Sequence, residues 1–159
     1  MIIAIGGIST VPQYLTERTM IQQNSHIGYP LHSEPLSRTV QVVIADDFAP
    51  MCQSLKRFLS AIDGVTLLGM AHDGMGAVEL CLKTHPDVIF LDISMPKLNG
   101  IDVAYMLRER CPEVRVIALI GFEDAHLRTA MLRAGAVSCV AKYASFEQLH
   151  EALVEALKV

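Results

Sequence analysis

Three acids and a lysine of this chain stand where apolar runs end, and their types could support one reaction. Asp46 and Asp47 follow the first such run, Asp92 follows a later one, and Lys142 follows the last. Grouped carboxylates repel one another unless a cation neutralises them. Mg²⁺ suits such a group because it is small and prefers oxygen ligands. A carboxylate held beside Mg²⁺ and an ammonium is suited to attack a phosphorus atom, since carboxylates serve as phosphoryl acceptors.

The apolar runs predict the elements that must position these side chains. Strands are expected over residues 40–45, 65–71, 87–91, 114–120 and 136–141, of which the first and third are expected to be buried and the fourth is very apolar. Each is followed by apolar residues at helical spacing, the fourth helix being expected over 123–133 and the fifth being capped by Ser145. Strand–helix alternation predicts an α/β fold, a flavodoxin-like doubly wound sheet of five parallel strands in the order 2-1-3-4-5 with five helices. That order brings the carboxyl ends of strands one and three together, where such sheets bind ligands.

Each of the four polar residues also has a purely structural explanation. Asp92 could cap a turn, and Asp46 and Asp47 could favour a helix N-terminus through its dipole. Lys142 could be a surface charge at a turn. The functional interpretation is favoured because the structural one requires four independent coincidences at one sheet edge.

The segment from about Val40 to Val159 resembles the receiver domain of bacterial two-component response regulators. It is most similar to receivers that precede a LuxR/NarL-type DNA-binding domain. The resemblance rests on Asp46-Asp47, on Asp92 in the run 91–96, on Gly100 eight residues later, on 134–136 and on Lys142. It covers about three quarters of the chain, and it implies phosphorelay signal transduction rather than an enzyme's turnover.

The resemblance implies a role for each site residue. Asp92 would be the phosphoacceptor and form 4-aspartylphosphate. Asp47 would bind Mg²⁺ directly and Asp46 through water, and Lys142 would contact the phosphoryl oxygens. The backbone carbonyl of Ser94, two residues past Asp92, could supply another oxygen to the metal. The donor would be a phosphohistidine on a sensor histidine kinase or a phosphotransfer protein.

Two positions depart from the family pattern. The family has Thr or Ser at the end of strand four and an aromatic residue on strand five, and here these positions are Ile120 and Cys139. Ile120 cannot donate a hydrogen bond to a phosphoryl oxygen. Such a bond contributes about 1.5–3 kcal/mol, comparable to allosteric couplings of about 1–3 kcal/mol. The chain is therefore expected to signal by another route, or to be a protein-interaction module that phosphorylation does not switch.

An enzyme or redox protein on the same fold is a further alternative. A flavin protein would need a hydroxyl- and glycine-rich phosphate loop after strand one, where this chain has Asp46-Asp47. A haloacid-dehalogenase-type phosphatase would need a second acid two residues after its nucleophile, and position 94 is Ser. Both alternatives are disfavoured.

The chain is expected to have two parts. Residues 1–38 mix Thr, Gln, Ser, Gly and Pro without periodicity and are expected to form a poorly ordered extension, with at most a weak helix around 14–23. Residues 39–159 would form the receiver. No helix-turn-helix follows, so the expectation is a stand-alone receiver that acts on an unidentified protein partner and does not bind DNA directly.

Composition and charge predict a cytoplasmic protein that binds neither nucleic acid nor membranes. The 159 residues carry a net charge of −4, and 52% are hydrophobic. A negative net charge does not favour binding to the phosphates of nucleic acid. No apolar run reaches the length of about 18 residues that a membrane span needs. The four cysteines and six histidines are dispersed, so reduced, partly buried thiols are expected and a zinc site is not.

A weak homodimer is the last expectation. Arg128 and Arg133 on helix four could pair with Glu151 and Glu155 on helix five across a two-fold axis. Such charges are more often solvated faces of a monomer.

Overall fold

A computed structural model describes residues 38–121 and 124–158. The expected extension over residues 1–38, including the weak helix around 14–23, lies almost entirely outside the described residues. The elements in chain order are β1 Val40–Ala45, α1 Ala49–Ser60, β2 Val65–Ala71, α2 Gly74–Thr84, β3 Val88–Asp92, α3 Gly100–Arg110, β4 Arg115–Ile120, α4 Ala125–Ala134, β5 Ala136–Ala141 and α5 Phe146–Lys158. No helix in the described ranges is long and apolar enough to cross a membrane.

All five strands of the described sheet are parallel and follow the order β2-β1-β3-β4-β5. This is the predicted doubly wound, flavodoxin-like arrangement. β3 is buried along its whole length, as expected for a central strand covered by helices on both faces. Its register places Val42 of β1 beside Val88 and Leu119 of β4 beside Asp92.

Side chains that accept backbone hydrogen bonds define where three helices begin. Asp73, Asn99 and Asp124 are the N-caps of α2, α3 and α4. Asp124 Oδ1 accepts from the N–H groups of His126 and Leu127, at 2.8 and 3.1 Å. These caps satisfy amides that have no partner within the helix.

Several predicted bounds differ from the observed ones for local reasons. The predicted start of α4, Glu123, lies outside the described residues, and the helix is observed from Ala125 because Asp124 caps it. β3 was expected over 87–91 but runs to Asp92, which pairs with Leu119. Asp87 directly precedes the observed strand, and its carboxylate accepts the N–H of Gln41 at 2.8 Å.

Candidate functional site

The carboxyl ends of β1 and β3 carry two acids side by side. Ala45 pairs with Leu91 in the parallel register, so the next residue on each strand is an aspartate, Asp46 and Asp92. Both are buried, at 0% and 3% exposure. No other charged residue in the described part of the chain is buried. The sheet therefore holds two carboxylates at its centre, which requires a compensating charge.

Lys142 supplies a positive charge to both acids. β5 ends at Ala141, and the Lys142 side chain places Nζ 2.8 Å from Asp46 Oδ2 and 2.9 Å from Asp92 Oδ2. Its backbone N–H donates to the carbonyl of Ile120 at 2.9 Å, which fixes the start of the side chain. The lysine that the sequence predicts for this edge thus lies between the two predicted acids.

The pKa values of this group follow from burial and from these contacts. Burial raises the pKa of Asp46, and this effect exceeds the lowering by Lys142 and by the N–H of Phe48, which donates to Asp46 Oδ1 at 2.8 Å. Burial on its own lowers the pKa of Lys142, but contacts with the two carboxylates outweigh it and raise that pKa above its ordinary value. The ammonium is therefore firmly protonated at neutral pH.

Asp47 completes a group of three acids. Asp46, Asp47 and Asp92 can each present a carboxylate oxygen within 4.8 Å of the others. Asp47 is exposed, in contrast to its two neighbours. Asp46 Oδ2 and Asp92 Oδ2 are buried and have no well-directed hydrogen bond in the described structure, although both lie close to Lys142 Nζ.

This donor set fits a hard divalent cation. Carboxylate oxygens at one open edge are the ligands that Mg²⁺ takes, with waters filling its remaining positions. Asp46, Asp47 and Asp92 are the residues that could hold it. Ser94 lies two residues beyond Asp92 and is exposed, and the use of its carbonyl as a ligand stays a prediction.

A glycine allows the chain after Asp92 to turn tightly. A Cβ at Gly100 would overlap the carbonyl oxygen of Asp92. The Gly100 N–H donates to Ile93 O at 2.8 Å and closes the loop between β3 and α3. Gly100 therefore positions the strand end that carries Asp92, and its place eight residues later in the sequence has a steric reason.

The two atypical positions lie beside the site in the core. Ile120 and Cys139 are 5% and 7% exposed. Cys139 Sγ lies 3.9 Å from the carbonyl of Arg128 in α4, a distance that permits only a weak contact. An aliphatic side chain and a thiol thus occupy places where the resemblance implies a hydroxyl and an aromatic ring. The peptide bond between Lys142 and Tyr143 is trans, the favoured form of a bond that does not precede proline.

Two further residues support Asp46, and the sequence did not indicate them. Cys52 Sγ and His72 Nδ1 both lie 3.2 Å from the Asp46 carbonyl oxygen. Burial raises the pKa of the Cys52 thiol, and the charge of Asp46 adds to this effect. Cys52 is on α1 and His72 follows β2, so only the fold brings them together. The four cysteines are free and buried, where partly buried thiols were expected.

Comparison with known proteins agrees with this geometry. The family model described as "Response regulator receiver domain" matches residues 42–154. The chain belongs to the response regulator receiver domain family. Receiver domains are signalling domains that histidine kinases typically phosphorylate, and Mg²⁺ at acidic residues is typical of them.

The relatives that match this chain are longer proteins, and the match covers only part of each. The receiver is 38% identical over 120 residues to "Transcriptional regulatory protein DegU" of Brevibacillus brevis, covering 76% of this chain and 49% of that protein. It is 35% identical over 106 residues to a protein-glutamate methylesterase/protein-glutamine glutaminase of Thermotoga maritima, covering 66% of this chain and 31% of that protein. The chain thus spans half or less of the length of these two relatives.

Solved structures give the same fold. The signal receiver domain of the response regulator NarL from Mycobacterium tuberculosis superposes with a TM-score of 0.73 at 29% identity, covering 76% of this chain and 98% of that one. The response regulator domain of CheB from Thermotoga maritima gives a TM-score of 0.67 at 34% identity, covering 76% of this chain and 95% of that one.

Proposed function

We propose that this receiver accepts a phosphoryl group on Asp92 from a phosphohistidine of a sensor histidine kinase or phosphotransfer protein. The observation that carries the proposal is the position of Asp92, buried at a strand end with the Lys142 ammonium 2.9 Å away. In the transfer, an Asp92 carboxylate oxygen forms a bond to phosphorus as the phosphorus–nitrogen bond of the donor breaks. The electron pair of that bond returns to the imidazole.

The surrounding residues would assist by charge and position. Asp46 and Asp47, together with Asp92 and the carbonyl of Ser94, would hold Mg²⁺. The ion would supply positive charge that offsets the charge on the phosphoryl oxygens. Lys142 would exchange its contact with Asp92 for one with a phosphoryl oxygen, while Asp46 keeps the ammonium at the site.

The assignment of Asp47 as the more direct metal ligand has a geometric basis. Asp46 already uses Oδ1 to accept the Phe48 N–H and places Oδ2 beside Lys142, whereas Asp47 is exposed. Its carboxylate has no hydrogen bond or ion pair with another described residue, so it can reach an ion without breaking one. Asp46 would bind through a water molecule.

Output by protein contact is the second part of the proposal. Tyr143 directly follows Lys142 and is 68% exposed, so a large apolar ring stands beside the site. A partner that covers this ring would sense the position of Lys142. Similarity to DegU and NarL supports a LuxR/NarL-type receiver, and direct DNA binding by the receiver itself would require a basic surface that its net charge does not favour.

A protein-interaction module that phosphorylation does not switch is the other candidate, and Ile120 and Cys139 are the observations that support it. The buried acids beside Lys142 favour the first function, because an interaction module has no need of two desolvated carboxylates.

Phosphorylation of the full chain tests the proposal. Incubation with Mg²⁺ and acetyl phosphate, and separately with candidate kinases, should add the mass of one phosphoryl group in an acid-stable, base-labile linkage. Asp92→Asn should abolish the increase. Asp63→Asn, an exposed acid in the turn before β2, is the matched control and should retain it. No increase in the wild-type chain with any donor would contradict the proposal and favour the interaction module.

A further inference from the structure

A second group of potential metal ligands lies at the opposite edge of the sheet. His85 is the C-cap of α2, Cys111 is the C-cap of α3, and Glu113 lies in the turn before β4. These residues precede the starts of β3 and β4, whereas Asp92 is the last residue of β3. The group is therefore separate from the phosphoacceptor site.

The ligand atoms of this group are close together. His85 Nδ1 lies 3.2 Å from Glu113 Oε1, and each of the three residues can present a ligand atom within 4.8 Å of the others. Ligand atoms around a tetrahedral Zn²⁺ are separated by about 3.3–3.8 Å, given bond lengths of about 2.0–2.3 Å. Small side-chain rotations would therefore bring all three into bonding range.

The backbone holds each ligand in place before any ion binds. His85 adopts a left-handed conformation, φ 47°, and its N–H donates to Cys81 O at 2.8 Å. The backbone N–H of Cys111 donates to Leu107 O at 2.7 Å, which leaves the thiol free of this bond. Both residues precede a proline, which restricts their backbone conformations further. The Val114 N–H donates to Cys111 O at 2.9 Å and closes the turn that carries Glu113.

We propose that His85, Cys111 and Glu113 form a binding site for Zn²⁺. A thiolate, an imidazole and a carboxylate form a donor set that zinc accepts and that Mg²⁺ does not, because Mg²⁺ prefers oxygen ligands alone. The His85 and Glu113 side chains are 62% and 54% exposed, while Cys111 is buried. The ion would enter from solvent, bind the sulfur on its inner side, and keep a water as the fourth ligand.

Binding would join the ends of two neighbouring helices. The Cys111 thiol would lose its proton to solvent as the sulfur–zinc bond forms. The ion would then link the C-terminal end of α2 to the turn after α3. An exposed pair between His85 and Glu113 alone would contribute little, and it would not account for a buried sulfur beside both partners.

Metal titration of the full chain in excess Mg²⁺ tests the site, because Mg²⁺ would fill the proposed site at Asp46, Asp47 and Asp92 and leave this one to Zn²⁺. Zn²⁺ is titrated against a chromophoric chelator, and Co²⁺ is added separately to detect a thiolate-to-metal charge-transfer band. One equivalent of Zn²⁺ should bind, the cobalt band should appear, and Zn²⁺ should raise Tm.

Variants assign the ligands. Cys111→Ser should abolish the cobalt band, and Cys139→Ser, another buried cysteine, should retain it. Glu113→Gln changes an exposed side chain and should fold normally, yet weaken Zn²⁺ binding by at least about 10-fold; Glu109→Gln on α3 is its control. The proposal is overturned by a cobalt band that persists in Cys111→Ser, by equal zinc affinities of the two glutamate variants, or by the absence of stoichiometric binding.

Discussion

The backbone carbonyl of Ile120 accepts a 2.9 Å hydrogen bond from the backbone N–H of Lys142. This bond joins the end of β4 to the residue whose ammonium lies beside Asp92. The main chain of Ile120 therefore takes part in the site although its side chain can make no hydrogen bond there. The backbone bond that positions Lys142 does not depend on a side-chain hydroxyl at position 120. Replacement of that hydroxyl by Ile120 therefore leaves the position of Lys142 unchanged, and only the side-chain hydrogen bond to a phosphoryl group is lost.

The first prediction concerns the response of α4. With Mg²⁺ and beryllofluoride, amide resonances near Asp92 and Lys142 should shift, while those of α4 should change little because Ile120 offers no hydroxyl to pull inward. Ile120→Thr should enlarge the α4 shifts, since a hydrogen bond to a charged group contributes about 1.5–3 kcal/mol. NMR spectra with and without the ligands measure this. A full shift of α4 in the wild-type chain contradicts it.

The second prediction concerns the buried charges. Lys142→Met should destabilise the metal-free protein by about 1–3 kcal/mol, because two desolvated carboxylates lose their cation. This cost is below the about 3–5 kcal/mol of a fully buried pair, since the Lys142 side chain is 23% exposed and solvent screens its charge. Mg²⁺ should restore part of the loss. Lys158→Met is the control, because its exposed contact with Glu155, at 2.6 Å, should matter by less than about 1 kcal/mol. Urea unfolding compares the two variants.

The sequence predicts the strands well because burial on both faces produces uninterrupted apolar runs. β1, β2 and β5 have the predicted bounds, and the strand order brings Asp46, Asp92 and Lys142 to one edge as expected. The residue types indicated Mg²⁺ binding and phosphoryl transfer, and the family resemblance assigned a role to each residue. On α5, Leu149 and Leu153 are buried at helical spacing, Ala152 and Ala156 complete the buried face, and Leu157 is only partly covered.

Contacts between distant residues could not be predicted where the residues do not stand at strand ends. Cys52 and His72 meet at the Asp46 carbonyl although they are far apart in the chain, and neither has a spacing that marks a site. The same holds for His85 and Glu113. Cysteine and histidine spacing detects metal sites built within one loop, and these residues come from loops that only the parallel crossovers bring together.

The third prediction is a pH dependence that originates at Asp46. Because burial raises its pKa in the folded state, the folded protein binds a proton more readily than the unfolded chain. Stability from this residue therefore falls as pH rises from the ordinary carboxylate pKa through the raised one. Asp46→Asn should be more stable than wild type at neutral pH without Mg²⁺, with the difference shrinking in acid. Urea unfolding across pH measures it.

When Mg²⁺ is present, wild type should be more stable than Asp46→Asn, the reverse of their order without the ion. The wild-type chain would gain binding free energy from the ion, while Asp46→Asn would have lost a carboxylate from the cluster. Asp63→Asn should track wild type throughout, because its carboxylate is exposed at the other edge of the sheet. If Asp46→Asn showed the same pH and Mg²⁺ dependence of stability as wild type, the titrating group would not be Asp46.

The fourth prediction separates two glycines next to the site. At Gly100 an added methyl overlaps the Asp92 carbonyl, a backbone atom that cannot move without displacing the strand end. At Gly121 no described residue other than its chain neighbours places an atom within 4 Å of an added methyl. Gly100→Ala should therefore cost about 1–3 kcal/mol, typical of overpacking, and should also slow phosphorylation because Asp92 shifts from Lys142. Gly121→Ala should stay within about 0.5 kcal/mol of wild type. Urea unfolding and acetyl phosphate labelling measure both variants, and equal labelling rates would show that the tight turn does not position Asp92.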